Sequence, residues 1–257
     1  MTHKFIETHC HLDYLKEKPL EEILEDSKKA GIEYTITISV EPGNMDPVLE
    51  IAKSHENIYC TQGVHPHNAK DFTDTVLEKI KLNSSHPKVL AIGEIGLDYH
   101  YDNSPREAQL AALEKQLELA CELELPVVIH TREAEEDTMS ILKNFSGKLK
   151  KGGVIHSFTS STRFAEFALS ENFHIGFNGI ITFKKAQNVR DVLEITPIEN
   201  ILLETDSPFL APTPHRGREN YPCYIPFIAA KLLEVKNLDE QAFDIIYQNS
   251  KRLFAIA

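Results

Sequence analysis

Eight short runs of apolar and β-branched residues recur along this chain and alternate with longer amphipathic stretches, a pattern that demands parallel strands with helices between them. The runs lie near Lys4 to His9, Tyr34 to Val40, Ile58 to Val64, Val89 to Ile95, Val127 to His130, Gly153 to His156, Phe173 to Phe177 and Ile201 to Asp206. Eight parallel strands close a TIM (β/α)8 barrel, and 257 residues is an ordinary length for one. No Ser/Gly linker, charge block or low-complexity stretch divides the sequence, so residues 1–257 read as a single domain.

Helix signals fill the intervals. At Ser104-Pro105-Arg106-Glu107, Ser104 can cap, Pro105 suits a first turn and Glu107 can reach back to the cap amide. Leu110, Leu113, Leu117 and Cys121 then form one apolar stripe, and Pro126 marks entry to the next strand. Asn237 and Glu240 form a similar pair ahead of Phe243, Ile246, Tyr247 and Leu253, which predicts an additional C-terminal helix packed outside the barrel.

Five of the runs end in residues that bind metals. His9 and His11 in Thr8-His9-Cys10-His11 close the first; Glu94, His130, His156 and Asp206 stand at or near the ends of four others. Alternate strand residues share a face, so His9 and His11 can grip one ion while Cys10 turns away into the core. Barrel enzymes carry their chemistry at the C-terminal strand ends, where these six side chains are predicted to converge. A single histidine there is ordinary; six ligand-type residues at five strand ends imply one shared pocket. Burying the carboxylates of Glu94 and Asp206 unpaired would cost several kcal/mol, and metal ions would offset that cost. Imidazole and carboxylate donors without thiolate suit Zn, Mn, Fe, Co or Ni, and Mg less well.

Weaker positions surround the six. His65 can contact a substrate phosphate or serve as a loop histidine stiffened by Pro66, and His67 reads as a loop residue. Arg132 can form a bidentate phosphate contact or pair with Glu133 or Glu136. Glu204 shares a face with Asp206, which suggests a supporting or water-binding role at the substrate end of the site, the alternative being a surface-loop salt bridge. Arg216 and Arg218 either line the mouth or form a solvated loop pair.

Composition narrows the class. The formal charge of −12 disfavours extended duplex binding, because affinity for a nucleic-acid backbone grows with the phosphates that Lys and Arg neutralise. No apolar stretch approaches the roughly 20 residues that cross a bilayer, and no secretory leader pattern opens the chain, so a cytoplasmic, membrane-free protein is expected. The four cysteines are widely spaced and predict reduced, packed thiols. With no coiled-coil or swapped segment, a monomer is expected.

The motifs ETHCHLD, GVHPH, AIGEIGLDYHYD, PVVIHTREA, GVIHSFTSS, FNGIITFK and ETDSPFLAPTPHRGREN together resemble the TatD family of metal-dependent deoxyribonucleases, in the amidohydrolase-type barrel superfamily. The similarity runs almost end to end, with each expected ligand in place. It implies two divalent ions: His9, His11 and Asp206 on one, His130 and His156 on the other, and Glu94 bridging them where many relatives carry a modified lysine. It further implies hydrolysis by metal-activated water, with Glu94 and Asp206 catalytic and Asp206 accepting the proton. The expected substrate is DNA, trimmed from a 3′ end and single-stranded by preference. Alternatives are a hydrolase of a small phosphoester, lactone or amide on the same barrel, and a non-catalytic barrel that only binds.

Overall fold

The computed structural model describes residues 3–257. The eight apolar runs form one parallel sheet in sequential order: β1 (Phe5–Cys10), β2 (Ile32–Thr37), β3 (Ile58–Gln62), β4 (Val89–Asp98), β5 (Val127–Arg132), β6 (Gly153–Ile155), β7 (Phe173–Phe177) and β8 (Ile201–Leu203). Helices α1 (Leu20–Lys29), α2 (Met45–Ser54), α3 (Asp74–Asn83), α4 (Arg106–Leu123), α5 (Glu135–Asn144), α6 (Thr162–Ser170), α7 (Gln187–Ile195) and α8 (Ile225–Lys236) alternate with the strands, and α9 (Ala242–Phe254) follows. This is the expected TIM barrel. Among the described residues no helix is long and apolar enough to cross a membrane.

Hydrogen bonds outside the ladder close the seam between β1 and β8. The Asp206 amide donates to the His9 carbonyl at 2.9 Å, the His11 amide to the Ser207 carbonyl at 2.7 Å, and the Thr8 hydroxyl to the Leu203 carbonyl at 2.9 Å. Glu7, fully buried, accepts from the amides of His9 and Thr205 through one oxygen, at 3.0 and 2.9 Å. Burial pushes its carboxyl up to about 8, against the lowering effect of those bonds.

Packing follows the strand period. Ile6, Ile36, Ala91, Val128, Val154 and Leu202 form an inner cluster, and a larger layer including Ile95, Ile129, Ile155 and Ile175 meets the helices. Residues on α4 behave largely as their stripe predicts: Leu113 and Leu117 are buried, with Leu110 and Cys121 half-buried against the core. The tail departs from expectation. Leu253, Phe254 and Ile256 join the inner cluster, so the end of α9 is part of the barrel core and not only an outer cover.

Two caps also differ. Ser104 does not cap α4; its hydroxyl donates to the His67 carbonyl at 2.7 Å and accepts from the Lys70 amide at 3.1 Å, tying down the loop after β3. Asn237 ends α8 in the left-handed conformation, φ 50°, which asparagine tolerates, and Gln241 precedes α9 without a side-chain cap.

Two of the four register breaks fall where the chemistry lies. β1 shifts against β2 between Glu7 and Cys10, and β4 shifts against β5 between Ile92 and Ile95. Such irregularities re-aim a side chain, here His9 and Glu94. Close strand approach follows: at Gly96, φ 150°, an added Cβ would sit 1.9 Å from the His130 carbonyl oxygen, so only glycine fits.

Candidate metal centre

All six expected ligands meet at the C-terminal end of the barrel, around Glu94. Its Oε2 lies 3.4 Å from His9 Nε2, and its Oε1 lies 2.9 Å from His130 Nδ1 and 2.7 Å from His156 Nε2. Asp206 Oδ1 stands 3.4 Å from His11 Nε2 and 3.7 Å from His9 Nε2. The rings of His9 and His156 stack at 3.8 Å, nearly parallel, between the two groups. Glu94 therefore has one oxygen toward His9 and the other toward His130 and His156.

Asp206 reaches this cluster by a turn and not by a strand. β8 stops at Leu203, three residues earlier than expected, and Asp206 takes φ 59°. The buried Asn220 amide holds that turn, donating to the carbonyls of Thr205 at 2.8 Å and Phe209 at 2.6 Å.

The donor set fits a cation. Both ring nitrogens of His9 and Nδ1 of His11 are buried without a hydrogen-bond partner. Native interiors rarely leave such groups unsatisfied, and a bound ion would use several of them. Charge agrees. Burial works to raise the Glu94 carboxyl, yet the charges of His156 and His65 and the bonds from His130 and His156 hold it well below the usual range. Asp206 is lowered likewise: burial opposes, and the His11 bond with the charges of His9 and His156 prevails.

Asp98, which the strand reading passed over, organises one side. It stands four residues after Glu94 on β4 and is buried, with Oδ2 3.1 Å from His130 Nε2 and 3.0 Å from His67 Nε2. Its Oδ1 accepts from the amides of His100 and Tyr101 at 3.0 and 2.9 Å. These bonds overcome burial and keep it ionised, far below the usual carboxylate range. An ionised carboxylate only accepts, so both facing Nε2 atoms carry protons, which leaves Nδ1, beside Glu94, as the His130 atom that would serve a bound ion. Asp98→Asn is therefore expected to weaken divalent-ion binding by about 10- to 100-fold with the fold intact, read by competition with a chelating dye. Unchanged affinity would deny Asp98 that positioning role.

His67 sits on the loop after β3, where its ring engages Asp98 and lines the cavity. His65 is buried with Nε2 3.4 Å from Glu94 Oε1, while its Nδ1 accepts from the His67 amide at 3.1 Å. That bond puts the proton on Nε2, so His65 faces the site as a donor. Burial lowers its pKa to about 4, with Glu94 opposing. Arg132 pairs with neither Glu133 nor Glu136, which hold His100 and Arg163; its guanidinium lies 5.3 Å over the Tyr101 ring and it lines the cavity. Glu204 corrects the expectation of a substrate contact. It is fully buried behind the site, where Oε1 accepts from the Ser157 amide at 2.5 Å and lies 3.6 Å from His156 Nδ1, so it orients His156. Cys10 is buried, its thiol 3.6 Å from the Ile36 carbonyl, as core packing requires.

The ligand cluster floors a cavity of about 490 Å³ rimmed by Tyr14, Tyr101, Ile180, Phe209 and Leu210.

Comparison with known proteins agrees with this geometry. The model of the family described as TatD related DNase matches residues 6–255. The chain is 38% identical over 252 residues to the "Uncharacterized metal-dependent hydrolase YabD" of Bacillus subtilis (strain 168), covering 97% of this chain and 98% of that protein. It is 35% identical over 248 residues to the "3'-5' ssDNA/RNA exonuclease TatD" of Erwinia amylovora, covering 93% and 95%. The crystal structure of YJJV, a TatD homolog from Escherichia coli K12, superposes with a TM-score of 0.93 at 32% identity over the full length of both chains. With the barrel, the His/Glu/Asp cluster and this full-length similarity in hand, the chain belongs to the TatD-related DNase family of metal-dependent hydrolases.

Proposed function

We propose that this hydrolase is a phosphodiesterase that trims single-stranded DNA from its 3′ end with two divalent ions. The observation that supports this most is the two-sided carboxylate of Glu94, with His9 beside one oxygen and His130 and His156 beside the other. His9, His11 and Asp206 would hold one ion, His130 and His156 the second, and Glu94 would span them. Bound there, such ions lower the pKa of water and offset charge on a phosphate.

The chain's own groups account for the remaining steps. Asp206 is ionised and its side chain is 14% exposed, compared with 4% for Glu94, so it meets the cavity and can orient the attacking water and accept its proton at a carboxylate oxygen. His65 Nε2–H and the Arg132 guanidinium face the cavity as donors to the phosphate oxygens. The 3′ polarity and the single-strand preference follow the name of the Erwinia amylovora relative.

The test is digestion of 3′- and 5′-labelled oligonucleotides with Mn, Co, Ni, Zn or Mg, beside a panel of lactones, amides and nitrophenyl phosphates. Stepwise loss from the 3′ end is expected. Strong turnover of a lactone or amide with no phosphodiester cleavage would overturn the proposal.

A further inference from the structure

We propose that the loops after β7 and β8 form a track for the strand that leaves the cavity, with phosphates on Lys184, Lys185, Arg216 and Arg218 and a base against Phe209. The proposal rests on the phosphodiesterase reading above and adds to it the path of the substrate. These four cations are exposed, and among the described residues none of them forms an ion pair with a carboxylate. What sets them apart is their grouping on two neighbouring loops of a chain with a formal charge of −12.

The two loops make one continuous surface that begins at the cavity. Ile180 and Leu210 line the rim. Just beyond them, Thr182 Oγ1 accepts from the Thr213 amide at 2.9 Å, and the Thr213 hydroxyl donates to the Thr182 carbonyl at 3.4 Å. The Arg216 guanidinium lies 3.6 Å over the Phe183 ring, which brings both pairs of cations together. Arg190 stiffens the first loop from beneath, donating to the carbonyls of Ile181 at 3.1 Å and Phe183 at 2.8 Å, and adds a fifth positive charge.

Nearby acids are occupied elsewhere. Glu219 accepts from the Tyr221 hydroxyl at 2.7 Å and from the amides of Lys16 and Glu17 at 3.2 and 3.1 Å, and Asp191 from the Gln187 amide at 2.7 Å. The opposite rim carries Asp102, Glu133, Glu135, Glu136 and Asp137 against Arg106, Arg132 and Arg163, so it stays net acidic even though Asp102 and Glu136 are paired with Arg106 and Arg163. A polyanion therefore leaves over the β7 and β8 loops. Phe209, 51% exposed at the rim, supplies the stacking face that a single strand offers its bases to and a duplex does not.

Two variants test the track: Lys184→Ala/Lys185→Ala/Arg216→Ala/Arg218→Ala, and Lys184→Glu/Lys185→Glu, which leaves the Arg216 contact untouched. Each is measured for binding of a long labelled single strand across a salt series, by anisotropy, and for KM on that strand and on a nitrophenyl phosphodiester. The four-alanine variant should lose about 0.7 per removed charge from the log–log salt slope and raise KM for the long strand by about tenfold or more. The small diester should be turned over as by wild type. Wild-type slope and KM in both variants, equal losses on the small diester, or a wild type that does not bind the strand would each overturn the track. A wild type that binds the strand with the expected slope but cleaves no phosphodiester would support the track while sinking the catalytic reading.

Discussion

Glu94→Gln is expected to release at least one ion and to lower phosphodiester hydrolysis on the order of 10³-fold, about 4 kcal/mol of transition-state stabilisation. The substitution keeps the shape and removes the charge. Among the described residues Glu94 is the carboxylate with imidazoles within 3.4 Å of both of its oxygens, whereas Asp98 meets His67 and His130 through one oxygen alone. A neutral amide can offer one oxygen but not two equivalent ones, and its NH2 group would face the donors of the opposite side. The check is elemental analysis after gel filtration, with steady-state rates on a labelled oligonucleotide. The variant should also lose most of the rise in Tm that divalent ions produce in the wild type, since that rise reports binding to the folded state. A variant with wild-type metal content and wild-type rate would remove Glu94 from the centre.

Asp206→Asn should act differently, lowering kcat by roughly 10²- to 10⁴-fold while retaining most of the bound metal. His9 and His11 would remain to hold the proposed ion on that side, but the group proposed to take a proton from water is gone. The neighbouring bonds protect the comparison, because the turn is held by the Asp206 backbone amide on the His9 carbonyl and by Asn220, which the substitution leaves alone. Stopped assays at saturating substrate separate kcat from KM, and a loss confined to KM would assign Asp206 to substrate binding instead.

The part of this architecture legible in the sequence is the part set by local periodicity. Runs such as Val127 to His130 show both a strand and the face on which its last residue stands, because side chains alternate with a period of two. That suffices to bring His9, His11, Glu94, His130 and His156 to one end of a barrel. The run ILLETD points to Asp206 for a reason only half correct: it ends in Asp206, but the strand stops at Leu203, and a turn held by Asn220, fourteen residues on, aims the carboxylate. Partnerships across the fold escape a local reading. Asp98 shares the Glu94 face at a spacing of four, a signal that was present, but its pairing with His130 and His67 depends on β5 and the β3 loop packing beside it. Ser104 and Asn237 fit capping patterns and serve other ends, since the same hydroxyl or amide can satisfy a neighbouring loop or a left-handed turn equally well.

The most direct test of the centre is anomalous diffraction from crystals grown with Mn, which scatters where protein atoms do not. Two peaks roughly 3.5 to 4 Å apart are predicted, one on the His9, His11 and Asp206 side of Glu94 and one on the His130 and His156 side. A single peak, or peaks away from Glu94 under saturating metal, would contradict the two-ion account.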